Sequence, residues 1–130
     1  MIFELYTSYP PSVNNYYVKT QRGIFISQKG KKFRSELLDS VHEQLAGFEP
    51  ISGKVCVTVV AFVPDRRVRD MDNIQKPLLD AMTKAELWGD DCLVDQIFIY
   101  RGAVHNKGGM VYIRVDEGGP IIPLGSERLV

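Results

Sequence analysis

The fold is decided by residues 55–63, which read VCVTVVAFV. Nearly every position is apolar, β-branched residues dominate, and the run is too short to read well as a helix. The segment therefore predicts a central β-strand that is covered on both faces.

Weaker patterns on both sides of this strand complete the predicted fold. Alternating or β-branched runs indicate further strands, and apolar residues at a three-to-four spacing indicate helices. The predicted strands are residues 2–6, 23–27, 55–63, 94–102 and 110–116, and the predicted helices are residues 28–46 and 72–86. The last two strands are expected to form a closing hairpin, because residues 106–109, NKGG, suit a turn. The sequence thus predicts an α/β (α+β) domain with a mixed β-sheet of about four to five strands and two main helices.

The length of 130 residues predicts a single domain. We assign residues 1–116 to it and treat residues 117–130, which are rich in glycine and proline, as a C-terminal tail of unassigned role. The N-terminus has no basic segment leading into an apolar one, and no apolar window approaches the ~20 residues of a membrane helix. The only two cysteines, Cys56 and Cys92, do not form a disulfide framework and are expected to be buried thiols. A cytoplasmic protein without membrane contact is expected.

Charge is balanced over the whole chain but unevenly distributed. Sixteen basic residues cancel sixteen acidic ones, yet no acidic residue lies between Glu4 and Glu36. The basic residues in this interval are Lys19, Arg22, Lys29, Lys31, Lys32 and Arg34. Several of them fall in the opening turns of the first long helix, where the helix dipole disfavours positive charge. A surface that binds nucleic-acid phosphates would explain that order, whereas most charge runs only keep a surface soluble.

Two acidic pairs lie at the ends of the second predicted helix. Asp70 and Asp72 are two residues apart where the chain enters the helix, so in an extended segment both side chains point the same way. Asp90 and Asp91 follow the helix. Carboxylates packed together repel one another unless a divalent cation neutralises them, which favours magnesium or manganese. Lys76 lies four residues after Asp72, where it can neutralise the cluster or meet charge that develops on a phosphoryl group.

Each of these features also has a purely structural interpretation. An Asp-x-Asp ahead of a helix is usually a cap, and Asp90-Asp91 alone is more often a solvated turn. Arg66, Arg67 and Arg69 would usually form an exposed loop, and Lys76 an ordinary ion pair. Only the combination favours a metal-dependent phosphodiesterase.

The same residues resemble a known family. Residues 64–76 (PDRRVRDMDNIQK), 80–85 (DAMTKA) and 88–91 (WGDD) look like the core signature of RusA-type Holliday junction resolvases, the crossover junction endodeoxyribonucleases. Residues 9–17 (YPPSVNNYY) resemble the N-terminal motif of that family, with Val13 as an extra residue. The similarity spans roughly residues 5 to 116, in the same order and at similar spacing.

The resemblance implies a homodimeric α/β nuclease, often encoded by prophages, that binds four-way DNA junctions. Such enzymes act in DNA recombination and repair, and resolve junctions by paired symmetric nicks that require Mg²⁺, for which we expect Mn²⁺ to substitute. By matching position, the metal ligands would be Asp70, Asp72 and Asp91, and Lys76 would be the active-site lysine. Asp90 would be a supporting residue beside them. No small-molecule cofactor is expected.

Basic residues near these motifs are the expected DNA contacts. They are Lys19, Arg22, Lys29, Lys31, Lys32, Arg66, Arg67 and Arg69. Two alternatives stay open at the level of sequence: a non-catalytic module that binds branched DNA, and a metal-dependent phosphodiesterase that acts on another nucleic acid. Pro77 lies inside the second predicted helix, which implies a kink there or a later helix start.

Overall fold

The computed structural model describes residues 1–118 and confirms a single mixed α/β domain. Two short 3₁₀ turns, Met71–Ile74 and Asp91–Leu93, flank the third helix. The strands are β1 (Phe3–Ser8), β2 (Tyr17–Thr20), β3 (Gly23–Ile26), β4 (Val55–Phe62), β5 (Val94–Arg101) and β6 (Met110–Glu117), and the helices are α1 (Val13–Tyr16), α2 (Gln28–Gln44) and α3 (Gln75–Lys84).

β4 occupies the interior of a four-stranded sheet whose strand order is β1-β6-β4-β5. It pairs in parallel with β5 and antiparallel with β6. The predicted closing hairpin is therefore wrong, because β4 lies between the two strands that were expected to pair. The turn residues were correctly identified, since Gly108 and Gly109 both adopt positive φ angles. Placing the most apolar strand between two neighbours satisfies its backbone on both sides.

Only one face of β4 is covered. Val57, Val59 and Ala61 point towards α2 and α3, and are buried in one core with Leu37 and Met82. Thr58, Val60 and Phe62 point to the opposite face and are only partly buried, although Cys56 at the start of that face is buried. The prediction of a strand covered on both faces is wrong, because the two long helices pack on the same side of the sheet.

The predicted strand at residues 23–27 exists, but it pairs with β2 in a separate two-stranded hairpin. The hairpin leads directly into α2, whose N-cap Ser27 accepts a hydrogen bond from the Gly30 amide at 3.0 Å. A Cβ atom on Gly30 would lie 2.7 Å from the Tyr16 carbonyl oxygen. Glycine at this position therefore allows α2 to pack closely against α1.

The second predicted helix begins as a 3₁₀ turn and becomes α-helical only at Gln75. Pro77 is the third residue of α3, where the backbone N–H has no partner within the helix. The proline therefore costs no helical hydrogen bond, and a later helix start is confirmed in place of a kink.

Three further expectations have different outcomes. Cys56 is buried as predicted, but Cys92 is exposed, because it lies in the 3₁₀ turn before β5 and not in a strand. Within residues 1–118, no helix is long and apolar enough to cross a bilayer. β6 includes Glu117, the first residue of the predicted tail, and residues 119–130 lie outside the described part of the chain.

Candidate active site on helix α3

Lys76 and Asp80 lie one turn apart on α3 and form an ion pair, with 3.4 Å between Nζ and Oδ2. The Tyr17 hydroxyl, at the start of the hairpin, donates a hydrogen bond to the same Asp80 oxygen. The Lys76 ammonium also lies 5.8 Å from the centre of the Tyr17 ring. These contacts join the hairpin to the polar side of α3.

Asp91 reaches the same part of α3 from the 3₁₀ turn that follows the helix. The indole N–H of Trp88, which is 1% exposed, donates to the Thr83 hydroxyl oxygen at 2.7 Å. The Thr83 hydroxyl in turn donates to Asp91 Oδ1. Because the indole supplies only a donor, the threonine proton is directed towards the carboxylate. The buried tryptophan thus fixes the orientation of Asp91.

The pKa values show that this cluster disfavours further negative charge. Burial raises the pKa of Asp91, the neighbouring Asp80 carboxyl raises it further, and the Thr83 hydrogen bond and Lys76 oppose the shift. Burial likewise raises the pKa of Tyr17, and its hydrogen bond to Asp80 adds to the increase. Two carboxyl groups side by side are what a bound cation would stabilise.

Asp70 and Asp72 lie at the opposite end of the helical segment and are exposed. Asp70 occupies the N-cap position of the first 3₁₀ turn, but its side chain makes no capping hydrogen bond. The capping interpretation therefore fails for this residue. It holds for Asp90, whose Oδ1 accepts from the Cys92 amide at 2.9 Å.

The structure brings Asp91 to Asp80 and Lys76, but it does not bring Asp70, Asp72 and Asp91 together. Asp72 and Asp80 are eight residues apart along the helical segment, which corresponds to a rise of about 12 Å. In the described residues 1–118, no group of three or more histidine, cysteine, aspartate or glutamate side chains is arranged to hold a metal ion. The three-aspartate metal site therefore stays a prediction.

The basic residues expected to contact DNA are mostly solvent-exposed. Five of them lie on the hairpin or in the opening turns of α2, namely Lys19, Arg22, Lys29, Lys31 and Lys32. Within residues 1–118, only Lys32 has an acidic neighbour among these, with Nζ 3.9 Å from Glu36 Oε1. An exposed pair at that distance contributes little, so all five ammonium or guanidinium groups remain available for phosphates.

The arginines of the loop after β4 divide into two kinds. Arg66 and Arg67 are exposed, although Arg67 lies 3.7 Å from an Asp65 carboxylate oxygen. Arg69 is half-buried, pairs with Asp65 at 2.7 Å, and also donates to the Asp65 carbonyl oxygen at 3.0 Å. Arg101 donates to the Arg69 carbonyl oxygen at 2.7 Å. Arg69 therefore holds the shape of the loop that carries Asp70, while Arg66 and Arg67 face solvent.

Sequence reasoning missed four residues of the cluster: Tyr17, Asp80, Thr83 and Trp88. Asp80 lies four residues after Lys76, a spacing that also describes many solvated ion pairs. The pairing of Thr83 with Trp88 depends on how the chain turns after α3, which no short-range pattern specifies. The quoted family motifs contain all four residues, so the motifs were the one available signal.

Comparisons with known proteins show which family this chain resembles. Residues 8–116 match the family described as endodeoxyribonuclease RusA. The chain is 36% identical over 115 residues to the crossover junction endodeoxyribonuclease of Enterobacteria phage HK97, covering 88% of this chain and 94% of that protein. It is 32% identical over 111 residues to the crossover junction endodeoxyribonucleases of Escherichia coli strain K12 and Enterobacteria phage 82, covering 85% of this chain and 91% of each. The matched family region contains every residue of the α3 cluster.

We expect Thr83→Val to lower the free energy of unfolding by about 1–3 kcal/mol, the usual cost of leaving a buried donor unsatisfied. Valine keeps the shape of threonine but removes the acceptor for the Trp88 indole and the donor to Asp91. Thr83→Ser retains the hydroxyl, so its free energy of unfolding should fall much less. Urea denaturation of the three proteins measures the difference, and equal losses for valine and serine would contradict the proposed hydrogen-bond chain.

Proposed function

This chain belongs to the endodeoxyribonuclease RusA family, and we propose that it binds four-way DNA junctions and resolves them by paired symmetric nicks in recombination and repair. The observation that carries the proposal is the α3 cluster, in which Asp91 lies beside Asp80 and Lys76 within the matched region. In this cluster Asp91 is a candidate metal ligand, Asp80 adds negative charge beside it, and Lys76 provides the positive charge that phosphodiester hydrolysis requires.

Magnesium is the metal we propose for this site, with manganese as a substitute. The candidate ligands Asp70, Asp72 and Asp91 offer only carboxylate oxygens, which Mg²⁺ prefers. The raised pKa of Asp91 beside Asp80 fits a position that a cation would stabilise. When bound, the ion would supply the charge that activates water and stabilises the departing oxygen.

The protein's own side chains have separate roles in this proposal. Thr83 orients Asp91, and Tyr17 holds Asp80, so that both carboxylates keep fixed positions. The Lys76 ammonium lies at the edge of the cluster, where it can contact a phosphate oxygen of the cleaved strand. Exposed lysines and arginines on the hairpin, α2 and the loop after β4 would hold the flanking phosphates.

We propose that the enzyme acts as a homodimer, which fits the symmetry of a four-way junction. The support is the face of the sheet that the helices leave open. Tyr6, Tyr112, Val60 and Tyr100 lie in register across β1, β6, β4 and β5 on that face. Tyr100 is 55% exposed, and a row of three tyrosines and a valine on an open sheet face is a surface suited to protein contact.

In a junction-nicking assay with Mg²⁺, Asp91→Asn and Asp70→Asn should each reduce paired nicking by at least ~100-fold. This loss exceeds the one typical of changing a residue that only supports a metal ligand. The wild type should nick a labelled four-way junction but not a linear duplex, and EDTA should stop the reaction. Asp39→Asn is the matched control, because Asp39 is an exposed aspartate on α2.

Other results would point to the alternatives. Tight junction binding by the wild type without nicks would favour a non-catalytic branched-DNA module. Faster cleavage of RNA or of another nucleic acid would favour a different phosphodiesterase. Full activity in both aspartate variants would contradict the assigned ligands.

Tyr100→Glu should convert the dimer to a monomer, because it places a charge on each partner inside an apolar contact. Sedimentation equilibrium of the variant and the wild type measures the change. Val68→Glu adds the same charge at a fully solvent-facing loop position and should leave the dimer intact. A dimeric Tyr100→Glu protein, or a monomeric wild type, would contradict the proposed interface.

A further inference from the structure

An open groove of about 480 Å³ lies between the β2–β3 hairpin and the start of α3. Its lining residues are Val13, Asn14, Tyr17, Lys19, Ile24 and Lys76. The groove adjoins the α3 cluster directly, because Tyr17 bonds to Asp80 and Lys76 pairs with the same carboxylate. A molecule bound in this groove would therefore be in contact with the candidate active site.

The walls of the groove combine apolar surface with positive charge. Ile24 is 68% exposed, so it contributes little to the core. Its cross-strand partner is Lys19, and the Lys76 ammonium lies on the opposite wall. A ligand that matches these walls has an apolar part and an attached anion, and a nucleotide has both.

We propose that this groove receives the unstacked base of a nucleotide beside the cleaved phosphate, with Ile24 packing on the base and Lys19 and Lys76 facing the phosphates. The inference rests on the proposed junction-cleaving function and extends it to substrate selection. In a duplex each base is stacked on its neighbours, and unstacking it costs a few kcal/mol. A branch point lowers that cost, so the groove would favour junctions over linear DNA.

The hairpin offers an internal control for this proposal. Side chains alternate between the two faces of a strand, so Val18 and Phe25 lie on the face opposite to Ile24 and Lys19. Phe25 is 51% exposed and Val18 is 44% exposed, and neither lines the groove. Substitutions at Ile24 and Phe25 thus remove similar exposed apolar surface from opposite faces of one hairpin.

The test compares Ile24→Ser with Phe25→Ser in the full chain, after thermal unfolding confirms that both variants fold. We expect Ile24→Ser to weaken binding of a four-way junction about 5- to 50-fold, as expected for the loss of a base contact. Binding of a linear duplex should change much less. Phe25→Ser should retain the junction preference of the wild type.

A junction that carries 2-aminopurine at the branch point reports directly whether the base is unstacked. This readout requires neither metal nor cleavage. Its fluorescence should change on binding of the wild type and of Phe25→Ser, and much less on binding of Ile24→Ser. Equal signals for all three proteins, or an equal loss in the two variants, would overturn the groove assignment. Absence of nicking by the wild type would instead count against the proposed function, since the binding and fluorescence readouts do not require cleavage.

Discussion

The proximity of the Asp80 and Asp91 carboxyl groups is the constraint on which the site depends. Two such groups repel each other, and burial adds to the cost, yet three other side chains hold them in place: Tyr17, Thr83 and Lys76. The fold assembles the cluster from three parts of the chain. The hairpin provides Tyr17, and α3 provides Lys76, Asp80 and Thr83. The chain reversal after Trp88 returns Asp91 to the helix. Loss of any one contact leaves carboxyl groups without their compensating partners.

The apolar side of α3 explains why this cluster faces outward. Leu78, Ala81 and Met82 are buried against the sheet, so the polar residues between them are directed away from the core. Because the helices cover one face of the sheet, the other face keeps its row of tyrosines. The same packing therefore separates a surface for chemistry from a surface suited to a second copy of the chain.

Periodicity predicted the parts of the fold that depend on neighbouring residues. The apolar spacing of α2 correctly predicted a helix, and the β-branched run of β4 correctly predicted a strand, although not one covered on both faces. The predicted pairing of β5 with β6 was wrong. A turn between two strands favours a hairpin locally, whereas the need of β4 for two neighbouring strands is a property of the whole sheet. Asp91 and Lys76 were found from motifs, and the structure brings them together. Asp80 was missed, since its spacing from Lys76 equally describes a surface ion pair.

The most direct test of the account is to locate Mn²⁺ by anomalous diffraction in crystals of the full chain. We predict an ion bound to Asp91, with Asp70 and Asp72 drawn towards it and Lys76 beside it. An ion bound away from Asp91, or no bound ion at concentrations that support nicking, would contradict the central claim that the α3 cluster is the centre of metal-dependent cleavage.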